Sequence, residues 1–535
     1  YDVPVVYFPK FFHPDPTVKR QSGLLAPQVN NSNILGNSIT VPYYFAYSVD
    51  KDFTFTPSIF DKDIQMLQTE YRQVNKKSNL ITDFGFVRGY KSSVQNKKEN
   101  INHLFGKFNL NLDLTNFNSS DLNVNIEKVS SDTYLKVFEN NLATKYLKPK
   151  NFNVLENNIN VVLDHEKFDF TTGFKSFEDL QKKDSDRYQF VFPYYNYSSI
   201  LNRNILNGFI SLDSTGSNNL KDTNNLRTKV INNLSYKGYD LNLNNGITNN
   251  LNINFKNLNS LGKKDNEYKS SPQSEIVSDI ELQTRLPLIK VTETFNNYIT
   301  PKMSFRFSPN DMKNHTNTDR KIDTSNIFAN NRLGLDDSLE GGESLTVGLD
   351  YKKENLKDIN KFVEMKLATV FRFDEEKFIP KTTTLNEKNS NIFGQISNNL
   401  SKNLNFTYNF AFDNSKETFE YNNLNTTFSI NNFVTKFNFI EESGNMGSRN
   451  TLENSVAYTF NENNFLSFKT RRNRKINLTE YYDLVYEYKI DCLTAGLKYN
   501  KTYYEDRDLK QTENIYFTLS IIPLTSYEQK VSKWK

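Results

Sequence analysis

Polar and apolar residues alternate with a period of two along most of this chain, and this alternation limits the possible folds more than any other feature. Residues two apart lie on the same face of a β-strand, so each run predicts a strand with one apolar and one polar face. Helical periodicity is scarce, and only residues 177–186 indicate a short helix. The pattern therefore predicts an all-β fold. The clearest runs lie at residues 108–114, 122–126, 239–243, 251–255, 404–412, 433–439, 456–460, 486–490, 495–499 and 515–521.

The lengths of these runs fit strands that cross a membrane. Each run covers about 7–10 residues, close to the 9–11 that a tilted transmembrane strand needs. Polar stretches at residues 216–225, 261–274 and 310–325 are too long for tight turns and predict surface loops. A shorter polar stretch at residues 116–121 predicts the turn of a hairpin.

The composition points in the same direction. Aromatic residues are 14% of the chain, whereas all apolar residues together are only 37% and the mean hydropathy is −0.67. A transmembrane barrel has this balance because half of each strand faces a polar lumen and aromatic residues gather at the membrane interfaces. No stretch approaches the roughly 18 consecutive apolar residues that a spanning helix needs. We therefore predict a large antiparallel transmembrane β-barrel.

A soluble β-protein, such as a sandwich array or a solenoid, would also show alternation. Such a protein should have a fixed short repeat, or turn signals at regular spacing with Gly and Pro at repeated offsets. This chain has 19 Gly and 15 Pro and shows no repeat period. The membrane barrel is the favoured interpretation.

Charge and cysteine content exclude several classes of function. The net charge of +4 is a small difference between 66 basic and 62 acidic residues, which are interspersed, so no nucleic-acid footprint is indicated. His13, His103, His165 and His315 are scattered without metal-ligand spacing and are interpreted as loop or interface residues. The single cysteine, Cys492, permits neither an internal disulfide nor a cysteine-based metal cluster.

Catalytic motifs are not found in the sequence. The chain contains no P-loop, dinucleotide-binding or nucleophile-elbow pattern. The acidic pairs 336–337 and 441–442 are adjacent, so within a strand their side chains would point to opposite faces. We predict a protein that is not an enzyme and that needs no cofactor or metal.

Two prolines stand out in the predicted first strands. Pro27 and Pro42 would each remove a ladder hydrogen bond, which is why strand prolines normally belong to sheet edges. A closed barrel pairs its first strand with its last, here near Phe517 and Leu519. A missing bond costs about 1 kcal/mol net in water and several where the group faces lipid. The prolines therefore predict a seam that can part, unless they only start a strand or shape a turn.

Three segments resemble the LPS-assembly protein family of the LptD/OstA type. Residues 3–60 resemble its junction between periplasmic domain and barrel, with a Pro-rich linker and the turn KRQSG at residues 19–23. Residues 326–351, NIFANNRLGLDDSLEGGESLTVGLDY, resemble a mid-barrel motif of the family. Residues 491–508, DCLTAGLKYNKTYYEDRD, resemble its cysteine-bearing C-terminal strands. The three segments follow the order expected for the family.

The mid-barrel segment departs from the family pattern in two places. One residue rather than two separates residues 331–332 from residues 334–336. Asp337 and Ser338 stand where the family usually has a single arginine. No role is carried over to these positions.

The resemblance implies a definite organisation. It implies a 26-stranded barrel preceded by the tail of a periplasmic β-jelly-roll domain, with residues 1–22 as the end of that domain and its linker and residues 23–535 as the barrel. Because the chain opens at Tyr1 on an apolar run without a charged leader or cleavage site, we expect it to be a mature or truncated piece. The family often has two adjacent C-terminal cysteines that pair with upstream cysteines. Here Cys492 alone matches, and it either pairs upstream or is a lone buried thiol.

The resemblance also implies a function at the outer membrane, where such a protein is an integral component. Lipopolysaccharide would enter the outer leaflet through a lateral gate flanked by Pro27 and Pro42 on one side and by the strand of Phe517 and Leu519 on the other, while its sugar chain passes through the lumen. The family's partners are a lipoprotein plug of the LptE type in the lumen and a periplasmic bridge protein of the LptA type on the N-terminal domain. An inner-membrane ATPase supplies the energy.

Two other functions remain open from the sequence. A general outer-membrane porin or uptake barrel would share the strands but would not need weakened first and last strands. A soluble or surface-attached β-adhesin would be soluble without detergent.

Overall fold

The structure is a computed structural model, and it describes residues 21–25, 28–32, 35–60, 63–91, 98–139, 141–143, 146–490, 493–503, 512–521 and 525–531. For residues 28–32, 493–494, 512, 514–521 and 525–531 it describes the backbone alone.

The described part of the chain consists almost entirely of antiparallel strands. The strands are β1 (Gly23–Leu24), β2 (Gln28–Ser32), β3 (Gly36–Thr40), β4 (Tyr43–Ala46), β5 (Lys51–Phe60), β6 (Gln65–Val74), β7 (Ser78–Tyr90), β8 (Glu99–Asn111), β9 (Ser119–Val129), β10 (Val154–His165), β11 (Phe168–Asp179), β12 (Tyr188–Ile205), β13 (Gly208–Lys221), β14 (Asn225–Gly238), β15 (Leu241–Asn242), β16 (Thr248–Lys263), β17 (Gln273–Arg285), β18 (Leu288–Val291), β19 (Phe295–Ser308), β20 (Gly342–Asn355), β21 (Phe362–Arg372), β22 (Ile392–Asn398), β23 (Leu404–Asp413), β24 (Thr418–Ile430), β25 (Phe433–Glu442), β26 (Arg449–Asn461), β27 (Asn464–Asn473), β28 (Leu478–Ile490), β29 (Leu493–Thr502), β30 (Thr512–Ile521) and β31 (Thr525–Val531). The helical elements are α1 (Tyr134–Val137) and 3₁₀-helices at Asp184–Arg187, Lys381–Thr383 and Gly444–Met446. None of the helices described is long and apolar enough to cross a membrane.

All of the strands belong to one antiparallel sheet that curls into a barrel. In four places, two consecutive strands lie one after the other and together occupy one position in the order of the sheet. These are β1 with β2, β3 with β4, β14 with β15, and β17 with β18, and both members of each pair bond to the same neighbouring position. In the part of the chain that the structure describes, the strands occupy 27 positions, one more than the 26 that the resemblance implies. β31 lies beside β2, which brings the two ends of the sheet together. The predicted large β-barrel is confirmed.

The two faces of the sheet have opposite character, as the alternation predicted. In β16 the buried positions include Asn252, Asn254 and Lys256, whereas Leu251 and Phe255 between them are exposed on the other face. The same division holds in β17, β19, β20 and β21, and ladder partners carry it from strand to strand. Polar side chains therefore line the lumen, and apolar side chains form the outer surface, as in a barrel surrounded by lipid.

Most of the predicted strands are present, and three predictions differ from the structure. The hairpin of β8 and β9 and the run in β23 are confirmed. The prediction of a loop at residues 216–225 is wrong, since β13 and β14 pair there around a short turn. The run at residues 239–243 contributes only the short β15, and residues 177–186 hold the end of β11 before the 3₁₀-helix. β13 and β14 are polar on both faces near the short turn between them, so they show no alternation there, and backbone hydrogen bonds between the strands hold them together.

The connections between strands differ in length at the two ends of the barrel. At one end, which we call the short-turn end, hairpins close in two residues, as at residues 166–167 and 431–432. At the opposite end, the long-loop end, connections span residues 130–153, 309–341 and 373–391. β1 begins at the short-turn end, so the chain enters the barrel there.

Two of the long connections fold into the lumen. The first, here named the helical loop, spans residues 130–153 and contains α1. The second, the mid-barrel loop, spans residues 309–341 between β19 and β20. Each loop forms an apolar core with the lumen-facing side chains of nearby strands. The core of the helical loop contains Tyr134, Leu135, Val137, Phe138, Leu142 and Leu147, and that of the mid-barrel loop contains Met312, Ile322, Ile327, Leu333 and Leu335.

Candidate functional site

The mid-barrel loop is fixed to the barrel wall through the buried carboxylate of Glu340. Arg332 of the same loop donates to both of its oxygens, from Nε to Oε2 at 2.6 Å and from Nη2 to Oε1 at 2.5 Å. Two wall residues add to it: Arg306 of β19 donates to Oε2 at 3.0 Å and Arg372 of β21 to Oε1 at 2.7 Å. All four side chains are at most 5% exposed. One buried carboxylate thus joins the loop to two strands.

Further hydrogen bonds complete this charge cluster. Arg306 also donates to Glu281 of β17 at 2.8 Å and to the carbonyl of Ala329 at 2.9 Å. Arg332 donates to the Thr346 hydroxyl at 2.7 Å and to that of Ser344 at 3.1 Å. Buried charges are tolerated when they are paired and hydrogen-bonded, whereas removing one partner is costly.

The two glycines that follow Glu340 have separate reasons to be glycine. Arg372 donates to the carbonyl of Gly341, and a Cβ at Gly341 would lie 2.8 Å from the Glu376 carboxylate. Gly342 has a φ of +73°, a conformation that side chains with a Cβ rarely adopt. In the sequence EGG at residues 340–342, the glutamate is therefore the anchor, and the two glycines leave room for the Arg372 side chain beside the backbone.

Lys256 of β16 holds the part of the mid-barrel loop that precedes Glu340, at residues 335–338. Its Nζ donates to the carbonyls of Leu335, Asp336 and Ser338, at 3.2, 2.8 and 3.2 Å. An ammonium group with three donors satisfies three buried carbonyls at once. Only their backbone oxygens are used, so Lys256 fixes the path of the loop independently of those side chains.

Asp337, where the sequence departs from the family motif, has partners of its own. The hydroxyl of Tyr268 donates to Asp337 Oδ2, and His315 Nε2 lies 3.1 Å from Oδ1. Burial alone would raise the pKa of Asp337, but the hydrogen bonds from His315 and Tyr268 outweigh it and hold the pKa well below its usual range. The Asp337 carboxylate therefore serves loop structure, while Asp336 contributes its backbone carbonyl to Lys256.

The same reasoning applies to the charge of Glu340. Burial would raise the pKa of its carboxyl, but the attraction of Arg332 and Arg306 is stronger and lowers the pKa well below the usual range. The carboxylate therefore stays ionised at neutral pH. Its negative charge is what neutralises the surrounding guanidinium groups.

The helical loop is attached by polar contacts of another kind. The Tyr134 hydroxyl lies 2.7 Å from Nδ1 of His103, a fully buried histidine of β8 whose Nε2 lies 3.5 Å from Asp83. Gln68 of β6 donates to the carbonyl of Asn141 at 2.7 Å and accepts from the amide of Ala143 at 2.9 Å. His103 is thus an interface residue between the wall and this loop, His315 is a loop residue, and His165 ends β10.

The seam of the barrel, formed by β1–β4, β30 and β31, contrasts with this wall. Pro42 lies between β3 and β4, where its carbonyl accepts a hydrogen bond from the Leu25 amide at 2.8 Å. Opposed residues of a hydrogen-bonded antiparallel pair normally exchange two bonds. Proline has no N–H to return to Leu25, so half of this pair is missing.

A third proline, which sequence reasoning missed, repeats this feature on the next strand. Pro57 of β5 accepts from the Val41 amide at 3.2 Å and likewise cannot return a bond. Pro27, Pro42 and Pro57 are spaced 15 residues apart in the sequence. This regular spacing was the available signal.

The other predicted seam residues are placed only in part. Phe517 and Leu519 lie on β30, opposite Leu497 and Ala495 of β29. β30 also pairs with β31, and it is β31 that lies beside β2. The described residues of β2 and β31 share no hydrogen-bonded ladder. Pro27 and Cys492 lie outside the described residues.

Sequence reasoning also missed the residues of the charge cluster. Glu281, Arg306 and Arg372 are single charges at lumen-facing positions of strands whose opposite face is apolar. Arg306 stands between Phe305 and Phe307, for example. A charge in that position inside an apolar run was a usable signal. In the described part of the chain, no group of three or more His, Cys, Asp or Glu is arranged to hold a metal ion.

Comparison with known proteins supplies the family context. A family model described as LptD, LPS transport system D, matches residues 100–464, more than half of the chain. Among curated relatives, LPS-assembly protein LptD of Legionella pneumophila (strain Lens) is 32% identical over 150 residues, which cover 26% of this chain and 18% of that protein. LPS-assembly protein LptD of Polaromonas sp. (strain JS666) is 42% identical over 71 residues, which cover 13% of this chain and 8% of that protein. The matched segments thus span less than a fifth of the relatives' own length.

Solved structures give only a weak similarity. The alcaligin outer-membrane receptor FauA from Bordetella pertussis matches with a TM-score of 0.29 and 8% identity, covering 84% of this chain and 73% of that chain. The ferric preacinetobactin receptor BauA from Acinetobacter baumannii also has a TM-score of 0.29, with 7% identity, covering 95% of this chain and 80% of that chain.

Proposed function

The chain belongs to the LptD family, LPS transport system D, and from this premise we propose that it forms the outer-membrane barrel that delivers lipopolysaccharide to the outer leaflet. Its saccharide would occupy the polar lumen, while the acyl chains leave sideways between the first and last strands. The observation that carries this proposal is the unequal closure of the barrel. Its middle is bound by long ladders and a buried charge cluster, whereas its seam has ladders of only two to five residues with half-pairs at Pro42 and Pro57 beside them.

The ends of the barrel support one orientation in the membrane. Outer-membrane barrels have short turns on the periplasmic side and long loops outside. The chain enters β1 at the short-turn end, so a domain preceding the barrel would lie in the periplasm. We place residues 1–22 at the end of such a domain and the barrel at residues 23–535, as an integral protein of the outer membrane.

The lateral gate is assigned to the seam. Pro27 and Pro42 flank it on the side of the first strands, and Phe517 and Leu519 lie near its other side on β30. Pro57 extends the weakened region by one strand. Each half-pair leaves one carbonyl without its ladder donor, a deficit of about 1 kcal/mol in water. Because these deficits lie beside ladders of only two and three residues, we expect the sheet to part at the seam.

The partners follow from the same proposal. A lipoprotein of the LptE type would enter the lumen from the short-turn end. A periplasmic bridge protein of the LptA type would dock on the preceding domain. Cys492 would pair with a cysteine upstream of residue 1. A transport role of this kind needs neither catalytic residues nor a cofactor.

A photo-crosslinking residue at the seam tests the proposal. It would replace Tyr43, an exposed residue of β4 next to Pro42, or Phe517 of β30, in the full-length protein in cells. Leu282 of β17 is the matched control, because it is also exposed on the outer face but lies in the middle of the barrel. The proposal expects lipopolysaccharide adducts at Tyr43 and Phe517 and none at Leu282.

The alternatives give different results in the same cells. A general porin or uptake barrel would yield no lipopolysaccharide preference for the seam over Leu282, and equal labelling at the three sites would contradict the gate. A soluble adhesin would fractionate without detergent and would not change its gel migration on heating. Either result would remove the proposed function.

A further inference from the structure

A small cavity lies in the lumen beneath the mid-barrel loop. It has a volume of about 250 Å³. Its wall comes from β16, β17 and β19, and the ring of Phe328 from the mid-barrel loop covers it. The residues that line it are Asp240, Thr248, Asn250, Gln283, Thr284, Arg285, Lys302, Met303 and Phe328.

The aromatic cover of this cavity is held in place by the barrel wall. Gln283 donates to the carbonyl of Phe328 at 2.8 Å. The ring lies against Gly348 of β20, where a Cβ would approach it to 2.8 Å, so the wall needs glycine there. Lys302 lies over the same ring, with Nζ 5.4 Å from its centre. Phe328 is therefore a fixed surface rather than a loose side chain.

The cations of the cavity retain unused hydrogen-bond donors. Arg285 pairs with Asp240 through one nitrogen and remains half exposed. Lys302 pairs with Asp350 and is partly exposed. A guanidinium group has five N–H donors and an ammonium group three, so one carboxylate on each leaves donors for a second anion. Arginine binds phosphate and carboxylate groups well because its planar fork matches two oxygens.

Together these groups fit one class of ligand. An aromatic ring offers an apolar face for the C–H side of a sugar, and Asn250, Gln283 and Thr248 are amides and a hydroxyl of the kind that bind sugar hydroxyls. Arg285 and Lys302 add positive charge for a phosphate or carboxylate. The volume lies below the roughly 300–1,000 Å³ of most ligand pockets, which suits a single sugar unit. We propose that this cavity binds a phosphorylated or carboxylated sugar unit of the lipopolysaccharide in transit.

The position of the cavity gives this binding a consequence. Phe328 and Ala329 are neighbours in the mid-barrel loop, and Ala329 accepts from Arg306 of the charge cluster at 2.9 Å. A sugar seated against Phe328 would therefore touch the part of the loop nearest its anchor. This inference rests on the proposed function.

The test places a photo-crosslinking residue at Asn250 in the full-length protein in cells, with and without the double change Arg285→Gln and Lys302→Gln. We expect lipopolysaccharide adducts at Asn250 that fall at least fivefold in the double variant. Lys366→Gln is the matched control, because Lys366 is a lumen lysine of β21 with similar exposure and a single carboxylate partner, Glu364. It should leave the adducts unchanged.

The outcomes separate this inference from the proposed function. Adducts at Tyr43 and Phe517 without adducts at Asn250, or adducts at Asn250 that ignore the double change, would overturn the cavity assignment alone. Absence of adducts at all three sites in folded protein would overturn both. Heat-dependent gel migration would verify that each variant is folded.

A second measurement does not depend on transport. Purified full-length protein in detergent would be titrated with glucose 1-phosphate and with glucose, and binding followed by saturation-transfer NMR. We expect the phosphorylated sugar to bind and the double variant to weaken it at least tenfold. Equal binding of the two sugars, or equal binding by the double variant, would contradict the assignment.

Discussion

The middle of the barrel and its seam are built in opposite ways. β19 and β20 pair without interruption from Phe295 to Ser308, and a buried charge cluster ties the loop between them to β17 and β21. At the seam, β1 pairs with β4 over two residues, β3 with β5 over three and β2 with β3 over five, and the half-pairs at Pro42 and Pro57 lie beside these short ladders. Pro301 of β19 forms a similar half-pair with Leu286 in the middle wall, but there it lies within a long ladder. The comparison teaches that resistance to opening is concentrated away from the seam. A sheet under strain would part where the fewest bonds must break.

The largest expected effect comes from removing the anchor of the mid-barrel loop. Glu340→Gln would leave Arg306, Arg332 and Arg372 buried around a neutral amide, a loss of about 3–5 kcal/mol for a broken buried ion pair. We expect the loop to leave the lumen and single-channel conductance in planar bilayers to rise. Glu364→Gln, a less buried lumen carboxylate, is the control. Unchanged conductance in Glu340→Gln would show that the cluster does not hold the loop.

Acid should act on the same anchor, because the pKa values of Glu340 and Asp337 are lowered in the folded protein. A carboxyl with a lowered pKa adds stability that is fully present above its ordinary pKa of 4.5 or 3.8 and is lost as the pH falls toward the folded value. We expect proteolysis of the mid-barrel loop to be slow at pH 7 and to accelerate below about pH 4.5. An acid-active protease on detergent-solubilised protein would measure it. Acceleration on raising the pH instead would contradict the sign of this linkage.

The lysine clamp should have a smaller effect. Lys256→Met keeps much of the side-chain volume but leaves three loop carbonyls without their donor, each buried unsatisfied group costing about 1–3 kcal/mol before relaxation. We expect faster proteolysis of the loop with an intact barrel, as judged by heat-dependent gel migration. Lys366→Gln serves again as the control. Equal proteolysis rates in Lys256→Met and the original protein would remove Lys256 from the account.

The smallest change in free energy is expected at the seam, although its effect on transport should be visible. Pro42→Ala would supply an N–H donor for the Leu25 carbonyl and stabilise the seam by about 1 kcal/mol. We expect fewer lipopolysaccharide adducts at Tyr43 in this variant. Pro301→Ala, in β19 opposite Leu349, is the control proline of the middle wall and should leave the adducts unchanged. An equal reduction of the adducts by Pro42→Ala and Pro301→Ala would contradict a special role for the seam.

Alternation in the sequence predicts many of the strands but not the inward path of the loops that fill the lumen. Strands such as β8, β9 and β23 follow from alternation because each has one face toward lipid and one toward the lumen. The polar loop predicted at residues 310–325 is present. Its inward path depends on Arg306, 34 residues before Glu340, and on Lys256, 82 residues before Ser338. Periodicity within a window cannot register contacts of that range.

The candidate site divides along the same line. Pro42 is visible in the sequence because proline changes its own strand, and the family motif around Glu340 is visible because its residues are contiguous. The partners of Glu340 on β19 and β21 are each an ordinary charge in their own segment. They come together only in the folded barrel, where strand pairing places these lumen-facing positions at the same level along the barrel axis.

The most direct test of the central claim is a comparison of two disulfide staples in the full-length protein in cells. One staple would join β2 to β31 across the seam and would be chosen from a panel of cysteine pairs. The other would join β16 to β17 at Leu251 and Leu282, which face each other in the ladder on the outer face. Delivery of lipopolysaccharide to the cell surface is the readout. The account predicts that the oxidised seam staple stops delivery, that reduction restores it, and that the wall staple has no effect. Normal delivery with a fully formed seam staple would contradict it.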